Sequence, residues 1–168
     1  MKISLVGYMG SGKSAVGQQL AQNLNLNFID LDKEIEKECG CTIHETFSNK
    51  GELFFRQKER EVLERILATE RFVLSTGGGT PCYYDNIDLM NRNSLTVYLS
   101  LPLPDLFNRL KEEKEHRPLI SHLDGDGLKE FIGKHLMERN PFYHKATFVQ
   151  ACHGKSITEI VKEIKSLL

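Results

Sequence analysis

The chain has 168 residues, a length typical of one domain built around one hydrophobic core. Hydrophobic residues make up 40% of it and charged residues 27%, a balance that argues against a disordered or fibrous protein. The 22 basic residues nearly match the 23 acidic ones, which argues against a nucleic-acid binder, and no apolar run approaches the roughly 20 residues that a membrane helix needs.

The first predicted strand is followed by a phosphate-binding motif. Lys2–Val6 is a short β-rich run, and the apolar spacing in Lys13–Leu24 predicts a helix. Between them, residues 7–14 read GYMGSGKS and match GxxxxGK[ST] in full. A strand, a glycine-rich loop and a helix in this order predict a nucleotide-binding loop.

The chemistry of phosphate binding predicts a role for each part of this loop. Backbone N–H groups and the positive end of the helix dipole would hold phosphate oxygens. Lys13 would reach the β- and γ-phosphates, and Ser14 would place its hydroxyl on Mg²⁺. The predicted nucleotide-binding residues of the loop are Gly10, Ser11, Gly12, Lys13, Ser14 and Ala15. By itself the loop does not distinguish a kinase from a GTPase or an ATP-driven switch.

Two aspartates end the second predicted strand, Asn27–Asp30. In an extended chain Asp30 and Asp32 would point to the same face. Asp30 could hold a water of the Mg²⁺ shell, and Asp32 could accept a hydrogen bond, or the proton, from an acceptor hydroxyl. The alternative for Asp32 is that it only caps a helix beginning at Lys33.

The later elements alternate between helices and apolar strands. This alternation predicts a parallel sheet covered on both faces, with ligands at the carboxyl ends of its strands. No repeat or linker interrupts the chain, so we expect one domain over residues 1–168. The predicted helices are 32–39, 42–48, 52–68, 103–113, 128–139 and 157–168, and the predicted strands are 72–75, 95–99 and 147–151.

Three arginines and a glycine triplet are further candidates for ligand binding. Arg56, Arg117 and Arg139 lie in the distinctive sequences FFR, RPL and RNP, and guanidinium groups suit bidentate binding of carboxylate or phosphate. The alternative is ordinary solvated surface, and Arg56 falls nearer the polar side of its helix. Residues 77–79 (GGG) would let a ligand approach the backbone closely, or would form a plain turn.

In order and spacing these motifs resemble those of the shikimate kinases over essentially the whole chain. The matching sequences are GYMGSGKS at 7–14, DLD at 30–32, FFR at 54–56, GGG at 77–79, RPL at 117–119 and RNP at 139–141. The resemblance implies an α/β, three-layer P-loop fold like that of nucleoside monophosphate kinases. Its five-stranded parallel sheet would be flanked by helices, with a helical substrate-binding region at about 31–60 and a mobile lid at about 112–124.

The resemblance also implies an activity and residue roles. The enzyme would transfer the γ-phosphate of ATP to the 3-hydroxyl of shikimate, a step of chorismate and aromatic amino-acid biosynthesis. Arg56 and Arg139 would clasp the shikimate carboxylate, and Asp32 and the glycines Gly77, Gly78 and Gly79 would contact the acceptor. Arg117 would move onto ATP phosphate with the lid, and Arg109 would stack on adenine, with a backbone stretch near 153–155 completing that pocket.

The expected catalytic residues are therefore Lys13, Asp32 and Arg117, and the expected metal site is Ser14 and Asp30 holding Mg²⁺ beside ATP. Phe47 and Phe55 are candidates for the acceptor-pocket wall. The six histidines show no metal-ligand spacing. The four cysteines form no CxxC pair or zinc pattern, so we expect reduced thiols in a cytoplasmic protein, and we expect a monomer with no nucleic-acid or membrane partner.

Two rival functions fit parts of the sequence. A gluconate kinase would also bind a carboxylate and hydroxyls, although the Asp-x-Asp and triple-glycine motifs disfavour it. A GTP-binding switch might use NKGE at residues 49–52 to read guanine. That motif normally ends in Asp and follows a strand, so a turn between two helices is the better interpretation.

Overall fold

The computed structural model describes residues 1–114, 117 and 119–168. Its centre is a five-stranded sheet in which every neighbouring pair of strands is parallel, in the order β2-β3-β1-β4-β5. The strands are β1 (Lys2–Val6), β2 (Asn27–Asp30), β3 (Phe72–Ser75), β4 (Leu95–Ser100) and β5 (Phe148–Ala151). The predicted parallel sheet is confirmed.

The pairing register aligns the carboxyl ends of three strands. Leu5 of β1 pairs with Ser75 of β3, and Ser75 in turn pairs with Asp30 of β2. The segments that follow β1, β2 and β3 therefore leave the sheet at the same edge. Those segments are the glycine-rich loop, the two aspartates and the glycine triplet.

Helices surround the sheet. In the described part of the chain they are α1 (Lys13–Leu24), α2 (Leu31–Cys39), α3 (Ile43–Leu67), α4 (Asn86–Asn93), α5 (Leu103–Glu113), α6 (Gly125–Tyr143) and α7 (Ile157–Lys165). Helix α1 packs against α7, α2 against α3, and α5 against α6. All of β3 and nearly all of β1 are buried, as expected for strands covered on both faces. No helix within the described ranges is both long and apolar enough to cross a lipid bilayer.

The boundaries of the strands and of α1, α2 and α5 agree with the sequence predictions to within one residue, α6 extends beyond the predicted 128–139 at both ends, and the largest differences lie between β2 and β4. The predicted helices 42–48 and 52–68 form one element, α3, with a kink at Gly51, whose φ of 82° is not helical. A 3-10 helix at Thr80–Cys82 and the helix α4 were not predicted. Both are too short for a repeating pattern of apolar residues to be recognised in the sequence.

Two predictions about individual residues were wrong. Asp32 is not part of an extended chain and does not cap a helix, because α2 begins at Leu31 and its N-cap is Asp30. Arg56 is not on a polar face: only 9% of it is exposed.

Candidate active site

The three aligned strand ends border a cavity of about 530 Å³. The glycine-rich loop forms one wall, and the aspartates after β2 and residues 75–78 form another. The sequence-predicted residues that line it are Gly10, Ser11, Gly12, Lys13, Ser14, Ala15, Asp30, Asp32, Gly77, Gly78, Arg109 and Arg117. Residues from opposite ends of the chain thus meet in one cavity, as the sequence motifs predict.

The loop takes its shape from glycines in left-handed conformations. Gly10 has φ 78° and Gly12 has φ 91°, values that other residues rarely adopt. Gly12 is also the N-cap of α1 and has no side chain to accept the first N–H groups of that helix. These N–H groups are therefore available to an anion at the positive end of the helix.

Lys13 is buried beneath the loop. Its Nζ donates hydrogen bonds to the carbonyl oxygens of Gly7 at 2.8 Å and Tyr8 at 2.9 Å. Burial lowers the pKa of Lys13 to about 8, and Asp32 opposes this shift. A buried amine with a lowered pKa gains from any anion placed beside it, which suits a phosphate-binding role.

Asp30 connects the loop to the second strand. Its Oδ2 accepts a hydrogen bond from Ser14 Oγ at 3.1 Å, and its Oδ1 accepts one from the backbone N–H of Lys33 at 3.3 Å. Ser75 Oγ lies 3.4 Å from Ser14 Oγ. This group of hydroxyl and carboxylate oxygens has the chemistry that Mg²⁺ prefers.

Asp32 lies in the first turn of α2 and faces the cavity. Burial, followed by the neighbouring carboxylates of Asp30 and Glu59, raises the pKa of Asp32 to about 6, and Lys13 opposes the shift. A carboxyl group with this pKa is ionised at neutral pH and can accept a proton with little cost.

Each glycine of the triplet lies against a different polar side chain. A Cβ added to Gly77 would lie 2.9 Å from Asp32 Oδ1, and one added to Gly79 would lie 2.7 Å from Arg56 Nη2. A Cβ on Gly78 would lie 3.2 Å from Arg139 Nη1. The triplet forms a turn, since the backbone N–H of Thr80 donates to the carbonyl oxygen of Gly77 at 3.2 Å, and side chains at its three positions would crowd three different polar groups.

Arg56 is enclosed by aromatic rings and two carboxylates, the buried Glu59 and the more exposed Glu52, whose Oε1 lies 3.7 Å from Arg56 Nε. Its Cζ lies 3.8 Å from the ring centre of Tyr83, 5.0 Å from that of Phe55 and 5.9 Å from that of Phe47. Nη1 donates to Glu59 Oε2 at 2.8 Å, while the buried Nε has no hydrogen-bond partner. A buried guanidinium with an unpaired N–H has capacity for a further anion.

Glu59 was missed by the sequence analysis. It is 1% exposed and accepts hydrogen bonds from Arg56 and, at 2.7 Å, from Thr80 Oγ1. The sequence held a signal for it, because position 59 falls on the apolar stripe of α3 that also contains Phe55 and Val62. A charged residue at a core position of an amphipathic helix indicates a buried partner.

Arg139 approaches the same region from α6. Its Cζ lies 5.7 Å from the ring centre of Tyr8, and its Nη1 lies beside Gly78. Nearby, the Tyr143 hydroxyl donates to the carbonyl oxygen of Gly78 at 2.6 Å and ties α6 to the triplet. Arg56 and Arg139 thus lie beside adjacent glycines although they are far apart in sequence.

The remaining arginines border the nucleotide side of the cavity. Arg109 Nη1 donates to the carbonyl oxygen of Gly10 at 3.2 Å. Arg117 pairs with Glu113, its Nη2 lying 2.6 Å from Oε2. Lys155, from the C-terminal stretch expected near adenine, lines the same cavity. Of the predicted lid at 112–124, residues 115, 116 and 118 lie outside the described residues.

Comparisons with known proteins agree with this architecture. A sequence model described as "Shikimate kinase" matches residues 9–168. The shikimate kinase of Flavobacterium psychrophilum is 43% identical over 99% of this chain and 98% of its own length. A crystal structure of shikimate kinase from Bacteroides thetaiotaomicron has a TM-score of 0.95 and 39% identity, covering 99% of this chain and 97% of that one. The shikimate kinase of Acinetobacter baumannii in complex with shikimate has a TM-score of 0.89 and 32% identity, covering 99% and 91% of the two chains.

Proposed function

The chain belongs to the shikimate kinase family, and from this membership we propose how its residues divide the work of an ATP-dependent kinase that phosphorylates a hydroxyl of shikimate. The observation that carries the assignment is the glycine triplet. Gly77, Gly78 and Gly79 lie directly against Asp32, Arg139 and Arg56 respectively. One carboxylate and two guanidinium groups around an open backbone match an acceptor that has hydroxyls and a carboxylate.

On the acceptor side, Arg56 and Arg139 bind the carboxylate of shikimate. Guanidinium groups suit this role because their planar N–H donors fit the two carboxylate oxygens. Asp32 accepts a hydrogen bond from the 3-hydroxyl, and the backbone of the triplet approaches the ring. Phe47 and Phe55 wall the pocket, since their ring centres lie 4.5 Å apart beside Arg56.

On the donor side, residues 10–15 and Lys13 hold the phosphates of ATP. Lys13 leaves its loop carbonyls for the β- and γ-phosphates, whose negative charge favours its protonated form. Arg109 contacts the adenine, and Arg117 contacts phosphate once it is released from Glu113.

Ser14 and Asp30 would hold Mg²⁺. No cluster of three or more His, Cys, Asp or Glu ligands occurs in the described part of the chain, which fits an ion held by one hydroxyl, one carboxylate, water and substrate phosphates. When bound, Mg²⁺ offsets negative charge on the phosphate oxygens.

In the transfer itself, the 3-hydroxyl oxygen attacks the γ-phosphorus while the bond from that phosphorus to the β,γ-bridging oxygen breaks. ADP departs with the bonding electrons, and the proton of the hydroxyl passes to Asp32. Lys13 and Arg117 stabilise charge on the transferred group. Closure of residues 112–124 excludes water, which otherwise competes as acceptor.

We further propose that residues 1–168 form one kinase domain, with residues 31–60 carrying the acceptor site, and that the protein is a cytoplasmic monomer without nucleic-acid or membrane partners. The near balance of charge supports the proposal that nucleic acid is not a partner, and the four free cysteines support a cytoplasmic location.

An ADP-release assay tests the activity. Shikimate, gluconate and no acceptor are compared, each with ATP and with GTP. We expect release of the nucleoside diphosphate only with shikimate present, and faster release of ADP from ATP than of GDP from GTP. Equal rates on gluconate, or nucleotide hydrolysis that needs no acceptor, would overturn the assignment.

Arg139→Ala tests the carboxylate role. We expect the Kd for shikimate to rise by about 30-fold or more, because a charged hydrogen bond contributes about 1.5–3 kcal/mol. The matched control is Arg71→Ala, an exposed arginine before β3. Isothermal titration calorimetry measures both variants, and equal affinities would show that Arg139 does not bind the carboxylate.

A further inference from the structure

Tyr8 lies between the nucleotide loop and the helix that carries Arg139. Its side chain is 1% exposed, and its hydroxyl lies 3.1 Å from Nδ1 of His135 on α6. His135 precedes Arg139 by four residues, so both side chains project from the same face of α6. One tyrosine thus contacts both a histidine and the arginine one turn away.

The ring of Tyr8 forms a platform for Arg139. The guanidinium carbon lies 5.7 Å from the ring centre, within the range of a cation-π contact. The same guanidinium also borders Gly78, where an added Cβ would lie 3.2 Å from Nη1, so it lies beside both the ring and the triplet. The direction in which Arg139 points therefore depends on how the Tyr8 ring is held.

His135 is held in turn by its own neighbours. Its ring centre lies 4.3 Å from that of Phe131 and 6.0 Å from that of Tyr8, the latter in an edge-on arrangement. Burial, together with the positive charge of Arg139, lowers the pKa of His135. A neutral imidazole has one acceptor nitrogen, and burial keeps the Tyr8 hydroxyl protonated by raising its pKa to about 12.

We propose that His135 and Tyr8 form a positioning pair: the hydrogen bond between them fixes the Tyr8 ring and thereby sets the position of Arg139 for the shikimate carboxylate. This inference rests on the proposed role of Arg139 and adds two residues that touch neither the transferred phosphate nor the acceptor hydroxyl. The pair acts on the acceptor side alone, because the contribution of Tyr8 to the nucleotide loop is its backbone carbonyl, which accepts from Lys13.

Tyr8→Phe and His135→Leu test the pair. The first removes only the hydroxyl and keeps the ring, and the second alters a partly exposed residue, so both variants should fold. We expect each to raise the Kd and KM for shikimate by about 3- to 10-fold, the loss of one net hydrogen bond. The KM for ATP and kcat should each stay within about twofold of the parent values.

The double variant and a rescue variant separate positioning from general packing. If the two residues act through one hydrogen bond, the double variant should raise the Kd no further than either single variant. His135→Asn keeps a polar atom near the position of Nδ1 and should recover most of the affinity. A lowered melting temperature with unchanged shikimate affinity, or effects that multiply in the double variant, would overturn the proposal.

Comparison with Arg139→Ala distinguishes the positioning pair from the proposed role of Arg139 in carboxylate binding, on which the pair rests. If Arg139→Ala loses affinity and the Tyr8 and His135 variants do not, the positioning pair is wrong and the carboxylate role stands. If Arg139→Ala retains full affinity, the carboxylate role fails, and any effect of the pair must have another cause.

Discussion

Glu59 is a carboxylate with almost no access to water, held between Arg56 and Thr80 on the inner face of α3. Burying a charge is costly unless a partner compensates it, and here each ion compensates the other. The pair also fixes Nη1 of Arg56, which leaves its remaining N–H groups for the acceptor. Glu59 is thus a positioning residue for Arg56.

Glu59→Gln should therefore reduce both stability and acceptor affinity. Removing one partner of a buried ion pair leaves an uncompensated charge, at a cost of about 3–5 kcal/mol. We expect the urea midpoint to fall accordingly and the KM for shikimate to rise. Glu61→Gln is the control, since Glu61 lies two residues away on the exposed side of α3 and pairs with Lys58 at 2.6 Å. If the two variants had the same urea midpoint, the buried pair would not stabilise the fold.

At the level of single residues, the sequence predicted which residues lie at the site better than it predicted how buried they are and which partners they have. Lys13 and Asp32 were predicted from motifs that follow parallel strands, whose carboxyl ends meet at one edge, whereas Arg139 on α6 was predicted from its local sequence and the family resemblance. The sequence pattern misjudged Arg56, whose burial depends on three aromatic rings, one of which, Tyr83, follows a 3-10 helix that no periodicity reveals. It also passed over Glu59, because its partner on the same helix, Arg56, was assigned to the polar side and its other partner, Thr80, comes from a separate element.

At the level of elements, α3 shows how a kink serves the site. Gly51 has φ 82° and ψ 169°, and it divides the helix into a short arm with Phe47 and a long arm with Arg56. A Cβ at Gly51 would meet nothing within 4 Å, so backbone conformation alone explains the glycine. The kink allows Phe47 to fold back onto Phe55, with their ring centres 4.5 Å apart.

Gly51→Ala should destabilise the protein by about 1–3 kcal/mol, because φ 82° with ψ 169° lies in a region of backbone conformation that is essentially restricted to glycine. We expect a lower midpoint in urea and a weaker affinity for shikimate, because the kink brings Phe47 of the short arm against Phe55 of the long arm, beside Arg56. Ser48→Ala, an exposed position on the short arm, is the matched control. A Gly51→Ala variant as stable as that control would show that the kink is not maintained by the glycine.

The element boundaries also show what sequence patterns can resolve. The strands β1, β2 and β3 and the helices α1 and α5 were predicted to the residue, and β4 and β5 to within one residue, because their apolar patterns are unbroken. The two parts of α3 were predicted as separate helices, since a glycine within a helical pattern normally marks an end. Helix α4 has eight residues, too few to establish a period, and it was missed.

At the level of the whole molecule, the site places charges where the fold would be more stable without them. Asp32 is largely buried near Asp30 and Glu59, and its pKa is raised from 3.8 to about 6. Lys13 has a lowered pKa for the same reason of burial. Active sites commonly hold such groups at a cost in stability.

The sign of this cost follows from proton binding. Between about pH 4 and pH 6 the folded protein keeps a proton on Asp32 that the unfolded chain releases. The stability contributed by Asp32 is therefore complete below pH 4 and is lost as the pH rises through 6. At pH 7.5 the ionised carboxylate destabilises the fold, by at most roughly 3 kcal/mol for a shift of this size.

Asp32→Asn should thus stabilise the protein while inactivating it. At pH 7.5 we expect a gain of about 1–2 kcal/mol, less than the maximum because Lys13 loses its nearest compensating carboxylate. At pH 4 the gain should be close to zero, and kcat should fall by about 100-fold or more because the proton acceptor is gone. Urea unfolding at both pH values and the ADP-release assay measure these effects. The control Glu130→Gln, an exposed carboxylate on α6, should leave stability and kcat unchanged. A variant less stable than the parent at pH 7.5 would mean that ionised Asp32 stabilises Lys13 by more than its own burial costs.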